Sequence, residues 1–134
     1  MSEETCTKLA LAFVDHFNDR TDDHELYSDD ALVWNNLTGT EQLHSDTTAV
    51  SNALRSALPD LRWEEIAVHA WDDGFCVQYT FRATLPDGAE ARVPACGIAE
   101  VRDARIVRFS EYLDSAQVAP LGQALLAARG QAVT

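Results

Sequence analysis

Basic residues are scarce in this chain of 134. Ten lysines and arginines stand against 22 acids, a formal net charge of −12. A surface so acidic excludes nucleic acid as a partner, because phosphates need a basic face. The acids gather early: Glu3, Glu4, Asp15, Asp19, Asp22, Asp23, Glu25, Asp29 and Asp30 are offset only by Lys8 and Arg20. That is the pattern of a solvated, self-repelling face. Cysteine is equally thin. Cys6, Cys76 and Cys96 are odd in number, spread along the chain and without a Cys-x-x-Cys pattern. They predict packed or idle thiols in a reducing compartment, not a disulfide framework. No apolar run nears the roughly 20 residues a membrane span needs, and no basic start precedes an apolar segment as in a secretion signal. The expected location is cytoplasmic. His16, His24, His44 and His69 show no metal-ligand spacing, and there is neither a Gly-rich phosphate loop nor a Gly-x-Ser-x-Gly elbow. No metal and no cofactor are expected.

What is present fits one domain over residues 1–134 with a single core. Leu9, Phe13 and Phe17 recur at four-residue spacing and predict a helix from about Glu4 to Asn18. Thr21 could cap a short second helix, and Ala31 to Asn35 reads as a strand. A third helix is expected from Ser45 or Asp46 to Leu58, ended by Pro59. The period then changes. Leu61–Trp71, Phe75–Leu85, Ala91–Val101 and Ile106–Leu113 read as four strands, joined by turns at Asp72–Gly74, Pro86–Gly88 and Arg102–Ala104. A closing helix runs from Ser115 to about Arg129, with Gly130 as its stop. Helices first and hairpins after predict an α+β fold, with helices packed on one face of a curved antiparallel sheet.

The last strand carries the most pointed signal. Residues two apart share a face of a strand, so Glu111 falls with Val107, Phe109 and Leu113. An acid among apolar neighbours either meets solvent at a wet face or lines a pocket, where burial shifts its pKa. Strand Phe75–Phe81 poses a related question. Phe75, Val77, Tyr79 and Phe81 alternate with Cys76, Gln78, Thr80 and Arg82. Either face could lie beneath the helices. Asp114 opens the last helix like a capping box, Tyr112 should point away from Glu111, and Asn35 should point away from Trp34 and Asn36. His16 reads as a rim residue on the first helix.

The order of elements resembles the nuclear transport factor 2-like superfamily, whose members include ketosteroid isomerase, limonene-1,2-epoxide hydrolase and the SnoaL-like polyketide cyclases. The matching stretches are Asp30 to Asn36, Leu85–Pro86–Asp87–Gly88, and Gly97 to Ile106 leading into Glu111–Tyr112–Leu113–Asp114. The resemblance implies a cone-shaped barrel of curved sheet with helices on its concave face. On the epoxide hydrolase pattern, Glu111 matches the carboxylate that activates water, Trp34 a water-positioning tyrosine and Asn36 a water-binding asparagine. That family's Arg-x-Asp pair falls on Gln78 and Thr80, so epoxide hydrolysis itself is not expected. The implied pocket is lined by Gln78, Thr80, Val93, Ala95, Phe109, Glu111 and Leu113, with Ala95 and Gly97 leaving room. Val77, Tyr79, Phe81 and Ile98 would then form a convex face, implying a homodimer.

Two functions follow as expectations. One is a cofactor-free enzyme in which Glu111 moves a proton on a hydrophobic small molecule, such as a polyketide, steroid-like or terpenoid compound. Isomerisation, cyclisation and hydration or dehydration all need only that equipment. The other is a non-catalytic module that uses the same cone to bind a ligand or a protein.

Overall fold

The computed structural model describes residues 2–133. Helix α1 (Glu3–Asp19) begins where Ser2 accepts a hydrogen bond from the Thr5 amide, and Glu3 and Glu4 complement its positive end. It ends at Arg20 in the left-handed conformation (φ 59°), whose amide donates to the His16 and Phe17 carbonyls. Thr21 does not cap a second helix. Its hydroxyl lies 2.6 Å from Nδ1 of His16, and only a 3-10 turn, His24–Leu26, follows.

Strand β1 (Tyr27–Asn35) is longer than its apolar stretch predicted, and β2 (Glu41–Leu43) has no counterpart in the sequence reading. Helix α2 (His44–Ala57) leads into β3 (Arg62–Trp71), β4 (Gly74–Thr84), β5 (Glu90–Arg102) and β6 (Arg105–Leu113). Helix α3 (Ser115–Val133) closes the fold and continues past Gly130. Asp114 accepts the Gln117 amide at 3.2 Å, as a cap should.

The six strands form one open sheet in the order β2-β1-β6-β5-β4-β3. It is mixed, because β1 runs parallel to β6 while every other pair is antiparallel. Edges remain at β2 and β3, so the sheet curves without closing into a barrel.

Register decides which side chains face the helices. Across the β4–β5 hairpin, Tyr79 pairs with Ala95, Phe81 with Val93 and Val77 with Gly97. Across β5–β6, Ala95 pairs with Leu113, Gly97 with Glu111 and Ala99 with Phe109. All of these share one face, and α1 lies on it: Phe13 packs against Trp63, Phe75 and Phe109 with ring centroids 4.9–6.0 Å apart. The aromatic face of β4 is therefore interior, with Val77 0%, Tyr79 2% and Phe81 8% exposed. This corrects their expected convex placement. Of the four residues assigned to a dimer surface, only Ile98 lies outside, at 41% exposure, so that apolar surface is mostly core. A register shift between Glu100 and Val101 adds a second correction. It pairs Val101 with Ile106, which is fully buried, and leaves Val107 half-buried off the alternation.

Candidate functional site

The concave face holds one acid held by one phenol. Glu111 stands on β6 and Tyr79 on β4, with β5 between them. Adjacent strands lie about 4.8 Å apart, so the pair must bridge roughly 10 Å of backbone separation. Small side chains on β5 permit it, since Ala95 faces Tyr79 and Gly97 faces Glu111. The Tyr79 hydroxyl donates to Oε2 of Glu111 in a short hydrogen bond.

The surroundings are aromatic. Trp63 stacks between Phe17 (3.9 Å) and Tyr79 (4.0 Å), and its buried indole N–H has no partner among the described residues. Burial raises the Glu111 carboxyl above its ordinary range, and the Tyr79 hydrogen bond offsets part of that rise by favouring the charged form. Tyr79 is pushed well above the ordinary phenol value by burial and then by the Glu111 charge, so it stays a donor. Tyr27 is raised likewise, first by burial and then by Asp23 and Glu111. Its ring stacks on His44 at 3.6 Å, and His44 Nε2 lies 3.4 Å from Asp23.

Four of the residues expected beside Glu111 share its face: Val93, Ala95, Phe109 and Leu113. Phe109 does more than line the face. A Cβ on Gly97 would lie 2.1 Å from the Phe109 ring, so the glycine admits that ring and the space above it is filled, not open. The remaining four are elsewhere. Gln78 and Thr80 alternate onto the opposite face, Gln78 exposed and Thr80 buried between Glu64 and Pro94. Trp34 pairs with Ser110 and packs on Tyr112, 5.3 Å away, also on that outer face. Asn36 is engaged by backbone: its amide donates to the Leu113 carbonyl and accepts from the Leu113 N–H, both at 2.8 Å. Asn35 takes the position beside Glu111, but its side chain caps the turn at Leu37 and Thr38.

Sequence reasoning missed Tyr79, and the signal lay in one turn. Residues 85–89 form a five-residue loop between the pair Thr84–Glu90. An odd loop sets Ala95 opposite Tyr79, whereas an even one would set it opposite Gln78 or Thr80.

Among the described residues, no three His, Cys, Asp or Glu side chains converge to hold a metal ion. No helix there is long and apolar enough to cross a membrane.

Solved structures share this architecture. AclR, a candidate hydroxylase from Streptomyces galilaeus, is 19% identical, with a TM-score of 0.78 over 91% of this chain and 98% of its own. IdmH, a candidate polyketide cyclase from Streptomyces antibioticus, is 20% identical, with a TM-score of 0.75 over 87% and 97%. TerC, co-crystallised with polyporic acid, is 17% identical, with a TM-score of 0.75 over 89% and 98%. No curated protein matches the sequence. Residues 10–109 match the SnoaL-like domain family, and the chain belongs to it.

Proposed function

We propose that this chain is a small cofactor-free enzyme that moves a proton on a hydrophobic molecule, with Glu111 as the carrier. The observation behind this reading is the Tyr79–Glu111 hydrogen bond inside an apolar, aromatic face. A carboxyl group raised by burial sits nearer neutrality, where it can both take and return a proton. In the ionised state, the free oxygen of Glu111 removes a proton from carbon beside a carbonyl, and the electron pair moves onto the carbonyl oxygen. The acid then returns the proton to carbon or oxygen, so no electrons leave the substrate and no cofactor is required. Tyr79 fixes the carboxylate and keeps its basic oxygen aimed. The unpartnered Trp63 N–H and the protonated Tyr27 are further donors for a substrate oxygen.

Isomerisation, cyclisation and dehydration all fit that cycle. The aromatic wall of Phe13, Trp63 and Phe109 favours flat, apolar rings, the class to which a polyketide belongs. The test has two stages. A thermal-shift screen against aromatic polyketides, steroids and terpenoids names a ligand, since one at about 100 times its Kd adds roughly 2.7 kcal/mol. Glu111→Gln should then lower turnover by about 100-fold or more while binding survives. A second reading, a binding module without turnover, draws on the Phe109 ring over Gly97, which already fills part of the interior. It requires Glu111→Gln to change affinity only.

A further inference from the structure

Behind Tyr79, on the outer face of the sheet, two thiols meet. Cys76 on β4 and Cys96 on β5 are offset diagonally, because Cys76 pairs with Ile98 and Cys96 with Gln78. Their sulfurs nonetheless lie 3.4 Å apart, one thiol donating its hydrogen to the other. Both are half-buried, whereas the third thiol, Cys6, is fully buried on α1 and directed at the Asp72 carbonyl. Burial and the facing Cys76 thiol push Cys96 up to about 11, so Cys96 rests as a thiol at neutral pH.

From this geometry we infer that Cys76 and Cys96 form a thiol–disulfide exchange site for a small disulfide such as oxidised glutathione. Two short side chains already in contact must close from 3.4 Å to the roughly 2.05 Å of a sulfur–sulfur bond, and because diagonal neighbours stand about 7–8 Å apart, β4 and β5 must also draw slightly together there. The chemistry balances in two displacements. One protein thiolate attacks a glutathione sulfur, forming a mixed disulfide and expelling one glutathione thiolate. The second protein thiolate attacks the protein sulfur of that mixed disulfide and expels the other glutathione. Two protein thiols are oxidised, one glutathione disulfide is reduced, and the two thiol protons pass through solvent to the departing thiolates. The resulting tie joins β4 to β5 behind the point where Tyr79, opposite Ala95, reaches across β5 to Glu111. It is a covalent handle on β4, which carries Tyr79, and on β5, which lies between Tyr79 and Glu111.

The test is incubation of the intact chain with oxidised glutathione, followed by alkylation of remaining thiols under denaturing conditions and peptide mapping. The expected product is a single chain two hydrogens lighter before alkylation, in which only Cys6 is then alkylated and the Cys76 and Cys96 peptides are linked. Dithiothreitol should reverse it. Cys76→Ser and Cys96→Ser, near-isosteric changes at half-buried positions, should each stop at the mixed disulfide and accumulate about tenfold more of it than the wild type. Three alkylatable thiols after oxidation, a bridge between chains, a bridge through Cys6, or wild type holding as much mixed disulfide as the variants would each overturn the inference.

Discussion

Tyr79 and Glu111 are joined across an intervening strand. The phenol leaves β4 opposite Ala95 on β5 and donates to the carboxylate on β6. The small Ala95 on β5 lets the acid meet its partner, while desolvation raises its pKa.

Tyr79→Phe removes the donor and leaves the half-buried carboxyl without that hydrogen bond. The expected cost is about 1–3 kcal/mol in urea denaturation. Because the hydrogen bond favours the charged form, its loss should also move the Glu111 titration further upward. A downward movement in the variant would contradict the assigned donor role.

Glu111→Gln should change how stability depends on pH. The folded carboxyl binds its proton more tightly than the unfolded one, since burial raises it. Its contribution is therefore most favourable below the unfolded value and is lost as pH rises through the raised folded value. The glutamine variant should gain on wild type across that window and level off above it. Thermal midpoints of the two proteins from pH 4 to 8 check this, and parallel curves would refute it.

Gly97→Ala should destabilise by about 1–3 kcal/mol through overpacking, because the added methyl meets the Phe109 ring at 2.1 Å. Phe109→Ala alone should cost about 3–5 kcal/mol. In the double variant the clash is absent, so the two costs should fall short of additive by most of the Gly97→Ala cost. Additivity within a few tenths of a kcal/mol would mean that Phe109 does not rest on Gly97.

Asn36→Ala separates a structural clip from a water ligand. With both amide atoms engaged by Leu113 backbone, its loss should cost about 1–3 kcal/mol in denaturation. A water-binding role instead predicts unchanged stability with impaired turnover.

Element order was legible because periodicity and turn chemistry agreed along the chain. Leu9, Phe13 and Phe17 do mark the first helix, and the four later strands begin and end near their turn residues. The unrecognised pieces depend on distant partners. β2 is three exposed residues that form a strand only because Leu32, Val33 and Trp34 lie alongside. The face of β4 turned on the parity of one loop, which propensity does not set. Glu111 stood out as an acid on an apolar face, whereas Tyr79 read as one more aromatic in a hydrophobic row. Its partner is 32 residues away and visible only in the register. Trp34 and Asn36 were placed by resemblance, and in this chain Tyr112 and the Leu113 backbone occupy them.

The most direct measurement is a carbon-13 NMR titration of the glutamate side-chain carboxyls, with Glu111 assigned by its loss in Glu111→Gln. The account predicts that Glu111 titrates above the ordinary glutamate range, and higher still in Tyr79→Phe. Titration in the ordinary glutamate range, unchanged by the loss of the Tyr79 hydroxyl, would contradict a half-buried, phenol-held acid and with it the proposed proton transfer.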